Sequence, residues 1–254
     1  MADILVIIPT YNERENLTPL LAAILEQVPR ADVLVVDDAS PDGTGELATA
    51  LAATEPRVRV LHRAGKQGLG TAYVAGFRYG LVNGYEHIIE MDADFSHRPE
   101  DLPRLIEAAS HADVVVGSRN VPGGRTENWS SIRKVISKGG SLYARLLLGL
   151  PVRDCTSGFK CFHRAALEAL DLERLRSNGY AFQVEVNYAC ARAGFRFAEV
   201  PIVFPDRVRG TSKMSSRIVW EAALLVLRLR LGLSTSPLTA HTPNGDVLPS
   251  RSKA

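Results

Sequence analysis

Short runs of consecutive apolar, largely β-branched residues alternate along the first half of the chain with segments whose apolar positions recur at spacings of three and four. "DILVIIP" (3–9) reads as a buried strand because the run is short and unbroken. Leu17, Leu20, Leu21, Ile24, Leu25 and Val28 then follow helical spacing. The alternation continues with a strand at 32–38, a helix at 43–53, a strand at 57–63 and a helix at 68–84 after a glycine-rich entry. A strand at 87–94, a helix at 99–109 opened by Pro99, and a strand at 112–119 complete it. Strand and helix in strict alternation predict an α/β fold: a Rossmann-like, mostly parallel sheet flanked by helices.

The second half is less regular. A polar loop is expected at 123–131, a helix from Ser131 to Leu148, a strand or turn at 156–164 and a short helix near 164–170. A helix at 182–194 ended by Gly194, a strand at 195–204, a basic loop at 205–217 and a last helix at 218–233 follow. One domain over residues 1–233 is the simplest organisation. The Pro- and Gly-punctuated segment 234–254 cannot build a core and is expected to be a disordered tail.

In parallel α/β sheets, ligands bind beyond the carboxyl ends of the strands. The polar residues fall there: Thr10, Tyr11 and Glu13 after the first strand, Asp37 and Asp38 ending the second, Asp92 and Asp94 ending the fourth, Ser118 and Arg119 ending the fifth. A lone D-x-D is much more readily a solvated strand end than a site. Three acidic strand ends on one edge favour a site, and Asp92, Asp94 and Ser96 would offer hard oxygens to a divalent cation. Asp37 and Asp38 fit either a ribose or base contact or a capped turn. His97 reads as a polar residue at a helix entry more readily than as a ligand or base. Neither G-x-G-x-x-G nor a Walker loop is present, which excludes the common dinucleotide and phosphate-loop folds, and "GKQGLG" (65–70) reads as a helix-entry turn.

Composition narrows the picture further. With 46% hydrophobic and 23% charged residues in 254, the chain is an ordinary globular protein. A net charge of +2 sets up no broad basic field, so no nucleic-acid partner is expected and any cationic site must be local. Arg119, Arg133, Arg207, Arg209 and Lys213 lie in or near second-half loops, and "DRVRGTSKMSSR" suits phosphate. Cys155, Cys161 and Cys190 lack metal or disulfide spacing and are expected to be buried thiols in a reducing compartment. No signal peptide or apolar run of the roughly 18 residues needed for a membrane span is found. The helix at 218–233, charged only at Glu221, Arg228 and Arg230, fits either the core or a membrane surface.

Taken in order, "IIPTYNERENL", "VVDDASPDGT", "GLGTAYVAGF", "MDADFSHRPE", "VGSRNVPGG", "TSGFKCF" and "RVRGTSKM" resemble the family-2 inverting glycosyltransferases of GT-A fold, from about Ile4 to Met214. Within them the chain is most similar to the dolichol- or polyprenol-phosphate mannose synthases, in the bacterial single-domain form without transmembrane helices. That resemblance implies GDP-mannose as donor and a polyprenyl phosphate as acceptor, with a UDP-glucose enzyme as the alternative. It places Pro9, Tyr11 and Glu13 on the guanine nucleotide, with Val36 and Asp38 beside base and ribose. It assigns Asp92, Ala93, Asp94 and Ser96 to an Mg²⁺ or Mn²⁺ and diphosphate site, with Ser96 where some relatives have Gln. Asp94, Arg119, Arg133, Arg207 and Lys213 are the implied catalytic set, its cations neutralising donor and acceptor phosphates. The expected location is cytoplasmic, peripheral at the inner face of the cell membrane.

Overall fold

The computed structural model describes residues 3–175, 177, 179–206 and 216–233. The expected basic loop, including Arg207 and Lys213, and the expected disordered tail lie outside these residues.

Five strands alternating with four helices open the chain: β1 (Ile4–Thr10), α1 (Arg14–Gln27), β2 (Ala31–Asp37), α2 (Thr44–Thr54), β3 (Val58–His62), α3 (Leu69–Val82), β4 (His87–Glu90), α4 (Leu102–Ala109) and β5 (Val114–Ser118). A 3₁₀ turn at Pro99–Asp101 leads into α4, as the proline predicts. There follow β6 (Arg125–Thr126), α5 (Ser131–Leu148), β7 (Lys160–His163), α6 (Arg164–Glu168), α7 (Gly179–Arg192), β8 (Phe197–Pro201), β9 (Val203–Phe204) and α8 (Ser216–Arg230).

The main sheet has the order β3-β2-β1-β4-β7-β5-β8. All neighbours are parallel except β7, which runs antiparallel to both β4 and β5. Side chains of period two split the core between the two faces. Leu5, Ile7, Leu34, Val36 and Phe162 join one cluster with α3, α7 and Val226 of α8. Ile4, Val6, Ile8, Val33, Val35 and Cys161 join the other with α1 and α4.

Three expectations need correction. The fourth strand stops at Glu90, four residues early, so Asp92 and Asp94 stand in the loop beyond it. The stretch 195–204 is two strands in different sheets, because Ile202 leaves the main ladder and β9 pairs with β6, inside the segment expected to be loop. The helix expected at 182–194 begins earlier, at Gly179. All three cysteines are buried and free, as expected.

Helix α3 lies close on the sheet because its contact face is glycine. A Cβ on Gly76 would come within 2.6 Å of Ile7 and one on Gly80 within 2.6 Å of Ile88. Alanine is otherwise the better helix former by ~1 kcal/mol, but overpacking costs ~1–3 kcal/mol. Gly76→Ala should therefore lower the melting temperature by roughly 2–8 °C, at ~2–4 °C per kcal/mol for a chain of this size. A raised melting temperature in a calorimetric scan would refute this packing account.

Candidate active site

The carboxyl ends of β1, β2 and β4 open into a pocket of about 310 Å³. Pro9, Thr10, Tyr11 and Glu13 supply its wall after β1, and Asp38 after β2. Lys66, Gly68 and Leu69 come from the turn into α3, and Asp92, Ala93 and Asp94 from the loop after β4. The far end is built from Arg133 on α5, Thr156 and Gly158 before β7, and Gly179, Tyr180 and Gln183 on α7.

The loops around this edge are held under strain. Asn12, Ala39, Phe95 and Asn128 have positive φ, between 53° and 63°, without being glycine. Such residues cost about 1–3 kcal/mol each and persist where surrounding contacts over-determine them. The contacts are visible. Ser40 donates from its amide and hydroxyl to Asp37, and Thr10 Oγ1 donates to Asp37 Oδ1 at 2.9 Å. Of the two readings open for this Asp pair, Asp37 is therefore the turn carboxylate. Asp38 faces the pocket while accepting from Arg63 at 2.6 Å and from the Gln67 amide at 3.1 Å, which fastens the glycine-rich turn to β2. That turn carries Lys66 to 3.9 Å from the ring centre of Tyr11.

After β4 the chain turns through Phe95, at φ 60°, so that Asp92, Ala93 and Asp94 reach the pocket. Tyr73 donates its hydroxyl to Asp92 Oδ1 at 3.1 Å. Burial, then Asp92 and Glu90, push the Tyr73 pKa well above its ordinary value, so the phenol keeps its proton. His97 Nδ1 accepts the Asp92 amide at 3.0 Å, and its ring stacks 4.9 Å from Phe159. Burial lowers the His97 pKa against the opposing pull of Asp92 and Asp94. His97 thus props the loop through its ring. Asp94 Oδ1 accepts the Ser96 amide at 3.1 Å.

Among the described residues no three His, Cys, Asp or Glu side chains are grouped to hold a metal on their own. Two carboxylates on the wall of a pocket that also carries Arg133 nevertheless fit an ion shared with a ligand's phosphates, the usual way Mg²⁺ is held. Ser96 does not line the pocket; it is buried, and its Oγ has no hydrogen-bond partner.

Other expected site residues are placed differently from the carboxylates. Val36 is fully buried among the core residues packed under α3 and does not line the pocket, because Leu34 and Val36 share the inward face of β2. Arg119 lines a smaller cavity with Trp129. Its guanidinium forks onto Asp154 at 2.6 and 2.7 Å and reaches Thr156 at 3.0 Å. Burial would raise the Asp154 pKa, but the adjacent guanidinium outweighs it and holds the carboxyl below its ordinary value. Arg133 is stacked 3.8 Å from the centre of Trp129 and bonded to Asp206 at 2.7 Å, directly before the basic segment.

The residues the sequence did not single out are those that precede or sit on β7 and α7: Asp154, Thr156, Gly158, Lys160, Tyr180 and Gln183. Lys160 and Glu90 are fully buried partners across β4 and β7, 3.7 Å apart, and Lys160 donates to Gln183 Oε1. Burial raises Glu90 to about 7 and lowers Lys160, each against the pull of the other's charge. "TSGFKCF" carried the signal as a motif, but periodicity does not say which way a strand runs.

The pocket, its carboxylate pair and its cationic far end coincide with a match to the family model described as Glycosyl transferase family 2, over residues 5–171. The chain belongs to that family. The undecaprenyl-phosphate mannosyltransferase of Micrococcus luteus is 53% identical to it over 238 residues, 94% of this chain and 98% of that one. The polyprenol monophosphomannose synthase of Mycolicibacterium smegmatis is 49% identical over 224 residues, 87% of this chain and 84% of that one. Among solved structures, glucosyl-3-phosphoglycerate synthase from Mycobacterium tuberculosis, bound to Mn²⁺, UDP and its product, superposes with a TM-score of 0.66 at 18% identity, covering 91% of this chain and 80% of that one. The mannosyltransferase PcManGT from Pyrobaculum calidifontis, with GDP-Man and Mn²⁺, gives 0.55 at 18%, covering 93% and 76%. The fold is the GT-A glycosyltransferase fold that the sequence led us to expect.

Asp154→Asn should cost about 3–5 kcal/mol of stability, since it leaves a buried guanidinium without its counter-charge. The native contribution is present in full above the ordinary carboxyl value of 3.8 and is lost as pH falls through the lower folded-state value. Urea melts of both proteins at neutral pH check this; coincident midpoints would contradict it.

Proposed function

We propose that this chain transfers mannose from GDP-mannose to a polyprenyl phosphate, giving polyprenyl phosphate β-mannose and GDP. The observation that carries this reading is the meeting of two cavities of opposite character. The polar pocket holding Asp92, Asp94 and Arg133 shares Thr156 and Tyr180 with a second cavity of about 400 Å³. Trp129, Ile136, Tyr143, Ala144, Val184, Ala222, Ala223 and Val226 give that cavity its largely apolar wall between α5, α7 and α8. Gly139 and Gly140 open the α5 side, since neither would carry a Cβ into contact with anything. An acceptor with a charged head and an apolar tail suits such a junction, and the two relatives above are named for that class of acceptor.

In this reading the nucleotide lies over Pro9, Tyr11, Glu13 and Asp38, and the donor diphosphate lies beside Asp92 and Asp94. A divalent ion held by Asp92 and Asp94, Mg²⁺ or Mn²⁺, would neutralise charge on the departing diphosphate. Arg133 holds the acceptor phosphate on the far side, with Arg207 and Lys213 completing the cationic set. Arg119 supports this end through Asp154 and Thr156. A phosphate monoester is already anionic near neutral pH, so it needs alignment more than a base. Attack opposite the leaving group inverts the anomeric carbon.

A lipid acceptor also requires contact with a bilayer. Among the described residues no helix is long and apolar enough to cross one. Helix α5 instead exposes Ile132, Val135, Leu142 and Leu146 at spacings of three, seven and four, with Lys134, Lys138 and Arg145 alongside. Helix α8 adds exposed Leu224 and Leu227, with Leu231 just past its end, while burying Val226 and Leu229. The last helix thus serves both the core and the surface, and α5 extends the surface beyond what the sequence had pointed to. These stripes support work at a membrane surface, and we propose the cytoplasmic face, as expected from the sequence.

Labelled GDP-mannose, Mn²⁺ and polyprenyl phosphate should give organic-phase label, and UDP-glucose should give far less; absence of label from GDP-mannose would overturn the reading. Asp94→Ala should lower transfer by at least 100-fold, ~3 kcal/mol of transition-state stabilisation. Transfer within threefold of wild type would remove Asp94 from the site. In liposome flotation, Val135→Glu with Leu142→Glu should cut binding to anionic vesicles at least tenfold. Unchanged flotation of the folded variant would take α5 off the membrane.

A further inference from the structure

The pocket has a nucleotide end, under β1 and β2, and a far end built by the lead-in to β7 and the first turns of α7. The reading above puts the donor diphosphate beside Asp92 and Asp94 and the acceptor phosphate on Arg133, so the transferred hexose falls between them, toward this far end, and the present inference rests on that reading. Gly158 and Gly179 line this end without side chains, so a ring can approach the backbone. The side-chain amide there belongs to Gln183, which lines the pocket at 2% exposure.

Its orientation is fixed from behind. Gln183 Oε1 accepts from the Lys160 ammonium, and a flipped amide would set NH₂ against NH₃⁺. The nitrogen end is thereby turned away from Lys160. Nε2 makes no full-strength hydrogen bond: its nearest acceptor is the Glu90 carboxylate, whose pKa the Gln183 side chain lowers as a donor, and a Cβ on Gly158 would lie 3.4 Å from it. The amide nitrogen therefore lies beside a pocket-lining glycine with two N–H groups and a single acceptor near them. A buried N–H left without an acceptor is a standing cost that a bound acceptor removes. Hexose hydroxyl oxygens are such acceptors, and a neutral amide can serve them without adding charge near a diphosphate.

We propose that Gln183 reads the hexose of the sugar nucleotide by donating from Nε2 to a sugar hydroxyl, and that Lys160 is the positioning residue that turns the amide toward it. The Lys160–Glu90 pair contributes little net stability as a buried ion pair. In this reading it holds the lysine that donates to Gln183 Oε1. Asp92 stands two residues beyond Glu90, so the same pair links the sugar end of the pocket to its carboxylates.

The test is calorimetric titration of the full chain in Mn²⁺ with GDP and with GDP-mannose, comparing wild type with Gln183→Met and Lys160→Met. Gln183→Met should bind GDP within twofold of wild type and lose at least tenfold for GDP-mannose, with a matching rise in donor KM. Lys160→Met should show the same split; if it does not fold, the neutral Gln183 variant decides the sugar contact by itself. Equal weakening of both ligands, or no change in either, overturns the proposal, since a merely structural floor would not separate nucleotide from sugar. Should wild type prefer another sugar nucleotide, the GDP-mannose reading falls, and the same comparison with that sugar nucleotide and its bare nucleotide still judges Gln183. Should wild type bind no sugar nucleotide, both fall.

Discussion

One reversed strand makes the rest of this site possible. Strand β7 runs antiparallel between β4 and β5, held to β5 by the Gly117 amide on the Phe159 carbonyl at 2.8 Å and by Ser157 Oγ on the Gly117 carbonyl at 2.6 Å. Strands in a sheet lie about 4.8 Å apart, so inserting one separates the carboxyl ends of β4 and β5 by roughly twice that distance. Because β7 is reversed, its amino-terminal end fills the gap. The residues leading into it, from Asp154 to Gly158, therefore arrive at the same edge as the carboxylates after β4. A parallel strand in that slot would have delivered them to the opposite edge. Gly117 cannot be larger, since a Cβ there would meet Phe159 at 2.9 Å.

Charge is distributed around the pocket in a way that follows from this insertion. Asp38 is committed to Arg63, Asp154 to Arg119 and Glu90 to Lys160. These pairs brace a turn, a loop and a strand end respectively. Asp92 also accepts from the hydroxyl of Tyr73 and Asp94 from the amide of Ser96, and both line the pocket. A bidentate guanidinium both fixes a carboxylate and cancels its charge, so Arg119, a cation at a strand end, braces the far end of the pocket through Asp154 and Thr156.

The first half of the fold was legible because β1, β2, β4 and β5 are buried almost throughout, β3 alternates, and the first helix shows a three-and-four repeat. Strand, helix and edge then fix where the polar residues must converge. The D-x-D pair was readable at residue resolution for that reason, although the strand before it ends at Glu90. Lys160 and Gln183 were not readable. Both belong to stretches that look like ordinary strand and helix, and only the direction of β7 brings them under the pocket. Val36 was placed beside base and ribose by the resemblance alone, whereas its side chain is buried under α3 and only Asp38, past the end of β2, lines the pocket. Helix α5 was expected at Ser131 to Leu148, but its exposed stripe at Ile132, Val135, Leu142 and Leu146 carries the same pattern a buried face would. Which side of an amphipathic helix meets protein is settled by packing.

That exposed stripe and the apolar cavity behind it belong to the same helix, and the physical chemistry of the proposed acceptor connects them. Drawing a prenyl tail out of a bilayer costs about 0.8 kcal/mol for each methylene exposed to water. A tail of even a few isoprene units therefore stays in the membrane unless the protein offers continuous apolar contact. On the proposed reading α5 solves this by turning one apolar face outward while Gly139 and Gly140 leave its inner side open to the cavity among α5, α7 and α8. Thr156 and Tyr180 then mark the place where the apolar path meets Arg133 and the carboxylates. A phosphate can reach the cationic end of the pocket there while its tail remains in apolar surroundings. The glycines weaken the helix, at about 1 kcal/mol each relative to alanine, and that cost is reasonable only where a side chain would block something.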